Sequence, residues 1–153
     1  TAADAARIEA LSLHFWDETE VDCFDRQYDV RACPAFVACK GQQVVGLAPY
    51  AVEPELDALV LVIFNVLPDY QGRGAGWALL DAVCNEARRR RIGQVIVATT
   101  NDDLPALALY QRYGFRVTEV IPGGVAAHHG GEFPGFAGIP VRDEIRLAYE
   151  LDP

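Results

Sequence analysis

Three groups of residues have types and spacings that could do chemistry. The first is Gln71-Gly72-Arg73-Gly74-Ala75-Gly76, lying between an apolar run that ends at Leu67-Pro68 and a helix-forming stretch from Trp77. Three glycines in five positions let the backbone come close to a ligand, and the free N–H groups at a helix start attract phosphate. Arg73 adds a positive charge. No Gly-Lys-Ser/Thr follows, so the loop is not a Walker A loop. The glycine spacing and Pro68 also argue against a dinucleotide fingerprint. Alone, the pattern leaves phosphate binding and a tight structural turn both open.

The second group is Asn101 followed by Tyr110-Gln111-Arg112-Tyr113-Gly114-Phe115. Tyr110 is either a packing residue on a helical stripe with Leu107 and Tyr113 or a phenol able to give a proton. The third is a set of carboxylates. Asp17, Glu18, Glu20, Asp22, Asp25 and Asp29 crowd one segment, and Glu53, Glu55 and Asp57 surround Pro54. The crowded segment suits a cationic partner or a solvated loop. His128 and His129 sit in a Gly- and Pro-rich stretch. The four arginines at 88–91 suit the end of a helix. Cys23, Cys33, Cys39 and Cys84 form no CxxC and no zinc spacing with the histidines, so no metal is expected.

These groups need elements to hold them. Ile8, Leu11 and Phe15 repeat at spacings of three and four, which predicts a helix over 2–16. Residues 17–34 read as irregular or short-helical. Ala35–Lys40 and 43–52 read as a hairpin around Lys40-Gly41-Gln42. Residues 57–67 are apolar enough for a central strand buried on both faces. A helix follows over 77–92, with Trp77, Leu80, Val83, Cys84 and Ala87 inward and Gly93 as its C-cap. Gln94–Thr100 is a β-branched strand. A helix from Asn101-Asp102-Asp103 ends at Gly114, with Pro105 in its first turn. Residues 115–121 form a strand and 122–140 a long connection. In 144–151, Ile145, Leu147, Tyr149 and Leu151 alternate onto one buried face. The order predicts an α/β fold, with a mixed sheet and helices packed on it.

Composition narrows the classes. Hydrophobic residues make 51% and charged residues 23% of 153, which predicts one folded domain over 1–153. The net charge of −9 argues against nucleic acid and anionic membrane surfaces. No apolar run is long enough to span a bilayer, and no basic start precedes an apolar stretch, so a cytoplasmic protein is expected. Twelve arginines against the single Lys40 suggest a GC-rich genome. The absence of an initiator Met suggests processing or trimming.

Taken in register, the two motifs resemble the GNAT superfamily of N-acetyltransferases. Gln71, Gly74 and Gly76 match that family's acyl-CoA loop, and Leu67-Pro68-Asp69-Tyr70 resembles its strand end. Asn101, Tyr110, Gly114 and Phe115 match its later segment. Residues 100–107 and 138–144 are similar to a bacterial subgroup with Thr-Asn-Asp-x-Leu-Pro-Ala-Leu and Gly-Ile-Pro-x-Arg-Asp-Glu segments. The likeness covers about residues 5–151. It implies an α+β fold with a mixed, mostly antiparallel sheet, two splayed central strands and flanking helices. The family's usual first strand is expected to be missing here, since the helix pattern starts at residue 2 or 3.

The resemblance also implies acetyl transfer from acetyl-CoA to an amine. Gln71, Gly72, Arg73, Gly74, Ala75 and Gly76 would hold the pyrophosphate, and Asn65, Val66 and Leu67 the pantetheine. The Val66 N–H would face the oxyanion. Asn101 is placed with the cofactor, and Arg112 near the 3′-phosphate. Tyr110 stands where the family often places the general acid. For the general base Glu53 is the first choice, ahead of Glu55 and Asp57. The acidic segment, and the connection carrying His128 and His129, would border a small, cationic amine acceptor. Two other readings stay open: a CoA-binding sensor or structural protein with little catalysis, and a peptide or protein N-acetyltransferase. A homodimer is also open, since a missing strand would expose a sheet edge.

Overall fold

A computed structural model describes residues 19–152, so the helix expected over 2–16 and the missing first strand lie outside the described residues. Of the segment expected to be irregular or short-helical, residues 20–32 are regular. Strands β1 (Glu20–Cys23) and β2 (Arg26–Asp29) form a hairpin, and a 3-10 turn follows at Val30–Ala32. The chain reverses at Phe24 and Asp25, both left-handed at φ 52° and 59°. That is the two-residue hairpin geometry, reached without the glycine or asparagine that usually announces it.

The main sheet holds β3 (Ala35–Lys40), β4 (Gln43–Glu53), β5 (Ala58–Leu61), β6 (Asn65–Val66), β7 (Gln94–Thr100), β8 (Arg116–Ile121) and β11 (Glu144–Glu150). Its order is β3-β4-β5-β7-β11-β8, with β6 paired to β4. β5 and β7 are parallel and the other pairs antiparallel. The mixed, mostly antiparallel sheet expected from the resemblance is therefore present.

The expected central strand 57–67 is broken in two. Tyr50 faces Leu61 and Leu47 faces Asn65. Between those rungs two residues of β4, Ala48 and Pro49, oppose three of its neighbour, Val62, Ile63 and Phe64. The extra residue is a bulge. It puts Val62 and Ile63 together in the core on the hairpin's side of the sheet, and Phe64 against the opposite core.

Helices α1 (Ala75–Arg89) and α2 (Leu104–Tyr113) cover one face. Leu79, Leu80, Val83, Cys84 and Ala87 of α1 pack with Tyr110 on Leu59, Leu61, Val95, Val97 and Leu147. Trp77 was expected inward but is 42% exposed. In the first turn of α1 it lies against Tyr113, with ring centroids 4.8 Å apart. The β1–β2 hairpin covers the other face through Cys23, Tyr28 and Val30, on Val60, Val62, Ile96 and Ala148. The connection 122–140 is folded rather than loose. It holds α3 (Gly124–His129), β9 (Phe133–Pro134), a 3-10 turn at Phe136–Gly138, and β10 (Pro140–Val141) paired back to β9.

Gly93 is not the cap of α1. The left-handed residue is Arg91 at φ 58°, and Ile92 N–H reaches back to the Ala87 carbonyl at 3.0 Å, as in a Schellman end. Gly93 serves packing, because a Cβ there would meet the Asp57 carboxylate. Arg91→Gly should therefore raise stability by about 0.5–1 kcal/mol, read by urea unfolding, since a left-handed arginine carries a steric cost that glycine lacks.

Candidate active site

The site opens where β5 ends. Leu61 opposite Val97 is the last rung between β5 and β7. β7 continues to Thr100, while the neighbouring chain turns toward β4 as β6. Two parallel strands that share a ladder therefore part, leaving a gap between residues 65–66 and 98–100. Leu67 N–H donates to the Val45 carbonyl at 2.8 Å. Antiparallel alternation then turns the N–H and C=O of Val66 away from β4 and toward the gap. The Val66 carbonyl accepts Gln71 Nε2 at 3.0 Å, which ties the glycine loop to the strand. The Val66 N–H is left pointing into the gap.

The loop at the mouth of the gap has the form expected of an anion cradle. Gly72 and Gly74 have φ of +74° and +88°, and a Cβ at either would meet nothing within 4 Å. Gly74 caps α1, and its carbonyl accepts the Ala78 N–H at 3.0 Å. The N–H groups of Ala75, Gly76 and Trp77 thus precede the helix's own hydrogen bonding. Gly76 has a different task. A Cβ there would lie 2.9 Å from Leu109 Cδ2, so glycine lets α1 close on α2. Beside the loop, Lys40 Nζ and the Arg73 guanidinium stand 5.4 and 5.8 Å from the Tyr70 ring.

Tyr110 projects from α2 into the core, 3% exposed, edge-on to Phe64 with centroids 5.7 Å apart. Phe64 belongs to the bulge, so the Tyr110 ring packs against the segment that leads into β6. Burial pushes its pKa well above the usual phenol value, which keeps the proton on. Asp103 caps α2 with a 3.4 Å bond from Ala106 N–H and accepts the Thr99 hydroxyl at 2.9 Å. Burial raises the pKa of its carboxyl too.

Two expected residues have other work. Asn101 Oδ1 accepts the N–H groups of Arg142 and Asp143 at 2.9 and 3.0 Å, and its Nδ2 donates to the Pro140 carbonyl at 2.9 Å. It clamps the returning chain before β11 rather than facing the gap. Buried Asp102 adds to the clamp by accepting the Thr100 hydroxyl and, at 2.9 Å, the Phe136 N–H. Glu53, the first choice for a base, pairs with Ala58 at the far end of β4, seven residues from Gly46, which faces Val66. At strand rise that is roughly 20 Å from the gap. Its carboxylate is also held by Arg26 and by the Tyr28 hydroxyl at 2.7 Å. Glu55 pairs with Arg26 and Asp57 with Gly93 N–H, near the same end. The three carboxylates are neighbours of the apolar strand in sequence, but they flank its start while the gap lies at its finish.

Level with the gap but one strand beyond β7, β11 carries charged residues that sequence reasoning passed over. Glu144, opposite Thr100 in the β7–β11 ladder, holds Arg146 at 3.0 Å. The Arg146 side chain is 11% exposed and also meets Glu119 at 3.2 Å and Asp25, from the hairpin turn, at 3.4 Å. Phe24 lies under its guanidinium, 5.2 Å away. The signal was in the strand pattern: the polar positions alternating with Ile145 and Leu147 are Glu144 and Arg146. Of the six crowded acids, Asp29 caps the 3-10 turn and pairs with Arg31, and Asp25 reaches the Arg146 cluster. His128 and His129 are exposed. In the arginine run, Arg89 and Arg90 pair with Glu86 of their own helix. Arg112 is exposed in the last turn of α2.

Among the described residues no group of three or more His, Cys, Asp and Glu is placed to hold a metal ion, and no helix is long and apolar enough to cross a membrane. The chain is similar to YxbD of Bacillus subtilis, 36% identical over 113 residues that cover 71% of this chain and 69% of that protein. Its structure is similar to an IAA acetyltransferase from Bacillus cereus, with a TM-score of 0.70, 32% identity and coverage of 76% and 77% of the two chains. It also shares its fold with a GNAT family acetyltransferase from Elizabethkingia anophelis solved with acetyl-CoA bound, at a TM-score of 0.68, 24% identity and coverage of 75% and 74%. A model of the acetyltransferase (GNAT) family matches residues 5–115, and the chain belongs to that family.

Proposed function

We propose that the protein, as one domain acting in the cytoplasm, transfers the acetyl group of acetyl-CoA to a primary amine of a small cationic acceptor. The reaction is direct attack within a ternary complex. The observation that carries this reading is the gap between β6 and β7. One wall presents the Val66 N–H, the mouth presents the Gly72–Gly74 turn and the α1 start, and Tyr110 packs against the segment that leads into β6.

The loop N–H groups and Arg73 would hold the pyrophosphate. The backbone of Asn65, Val66 and Leu67 would align the pantetheine, and the Val66 N–H would meet the oxygen where negative charge develops. Tyr110 would give its proton to the departing thiolate. A cationic acceptor is supported by the hairpin-covered face one strand beyond β7, where three carboxylates surround one guanidinium.

The test is thiol release from acetyl-CoA across a panel of spermidine, tobramycin, lysine and a basic tetrapeptide. Fastest release with a small polycation is expected. Release with the tetrapeptide alone would move the reading to a peptide acetyltransferase. Tight acetyl-CoA binding by calorimetry without release from any amine would move it to a CoA-binding sensor.

A further inference from the structure

We propose that Glu144 is the catalytic base that takes the proton from the acceptor's ammonium, with Arg146 as its positioning residue. The proposal rests on the acetyl-transfer reading above and supplies the base that Glu53 is too distant to be. Three observations converge on Glu144.

The first is placement. β11 runs beside β7, and Glu144 faces Thr100, beyond the last β5–β7 rung at Val97. Directly opposed residues share a face of the sheet, so Glu144 lies on the face of Ala98 and Thr100, level with the gap. That is the face covered by the hairpin, across the sheet from α1 and the glycine loop. An amine arriving there would meet a thioester held from the other side.

The second is availability. Near the ends of β7 and β11, Asp102 has both oxygens engaged, by Thr100 and by the Phe136 N–H. Asp103 has both engaged, by Ala106 N–H and Thr99. Asp143 receives the Gly123 N–H and Arg142. Glu144 is held by Arg146 Nε and Nη2 through Oε2. Its Oε1 has no hydrogen bond among the described residues.

The third is rigidity and charge. Arg146 is fixed by Glu119 of β8 and by Asp25 and the Phe24 ring of the hairpin turn, so two other elements set the position of Glu144. Three carboxylates around one guanidinium leave two formal negative charges in excess, which attracts an ammonium ion. The hairpin also presents Cys23, whose thiol burial and the charge of Glu144 push up to about 12, so it keeps its proton and does not compete as a base.

The proton count closes. Glu144 takes one proton from the ammonium and passes it to solvent. The free amine attacks the thioester carbon, the C–N bond forms and the C–S bond breaks. The nitrogen's second proton leaves to solvent, and Tyr110, having given its own to the thiolate, takes one back from solvent, so one proton is released overall.

The experiment measures kcat/KM against pH with whichever panel amine the wild type acetylates fastest. Glu144→Gln should lower it about 10²- to 10³-fold at pH 7. The deficit should shrink as pH rises toward the acceptor's own pKa, because solvent then supplies the neutral amine. Acetyl-CoA affinity by calorimetry should stay within about two-fold. Glu144→Asp keeps the charge but draws it back, and should give a smaller loss with the wild-type pH shape. A Gln variant whose profile runs parallel to the wild type overturns the proposal, even if it is slower throughout. A Gln variant that fails to fold leaves Glu144→Asp to decide, and full activity there overturns it too. If the wild type releases no thiol with any amine, the acetyl-transfer reading itself falls, and this one with it.

Discussion

Replacing Tyr110 with Phe should lower kcat about 10²- to 10³-fold while leaving the acetyl-CoA Kd within about two-fold. The phenol is 3% exposed and its ring packs against Phe64 and Phe115, contacts that Phe retains. Its hydroxyl has no hydrogen-bond partner among the described residues, so the substitution orphans no buried group and should cost little stability. A buried hydroxyl without a protein partner is ordinarily a liability, and the proposed acid role would give it one in the departing thiolate. Burial keeps it protonated through the physiological range, the state an acid needs. Thiol release under saturating acetyl-CoA measures the effect. An unchanged rate, with unfolding midpoints matching the wild type, removes Tyr110 from the chemistry and leaves it as packing.

Gly74→Val should weaken acetyl-CoA binding about 100-fold. Valine at φ +88° is strained, and its side chain would occupy the open space before the first N–H groups of α1, where a phosphate must approach. Nothing in the protein lies within 4 Å of the new Cβ, so strain dominates and the fold should persist. A strain of roughly 1–2 kcal/mol lowers Tm by about 2–8 °C in a chain of this size. Gly130→Val is the matched control. Gly130 is also left-handed, at φ +73°, and also faces open space, but it ends α3 away from the loop. It should lose similar stability and keep its affinity, as calorimetry and thermal melts would show. Equal affinities in the two variants would remove the loop from cofactor binding.

The glycine loop, the two helices and most strands were legible because each is written locally. Period-2 and helical spacings, a Pro in a first turn and a Gly at a helix end need no knowledge of the rest of the chain. The β1–β2 hairpin was not legible. Its turn uses Phe24 and Asp25 in left-handed conformations, and its acids obscure the short strands. The connection 122–140 looked loose because its composition is that of a loop. Its order comes from distant side chains, Asn101 and Asp102, which accept its backbone N–H groups or those just after it. Glu53 was misplaced by reading nearness along the chain as nearness in space, when seven residues of extended β4 separate it from Gly46, which faces Val66. Glu144 and Arg146 were written in the alternation of the last strand. Their position one strand from the gap depends on which strand β11 joins, and that is a fact of topology.

The bulge opposite Ala48 and Pro49 makes the gap a matter of chain length rather than of side-chain identity. Three residues span a distance that two span on the other strand. Point substitution at Val62, Ile63 or Phe64 leaves that count untouched. Deleting one of them would restore an unbroken ladder with Asn65 still opposite Leu47, and would remove the bulge that sets β6 off from β5. The segment therefore tolerates drift in residue type but not in length. Insertions and deletions among homologues should be absent from 62–64 even where the amino acids differ freely.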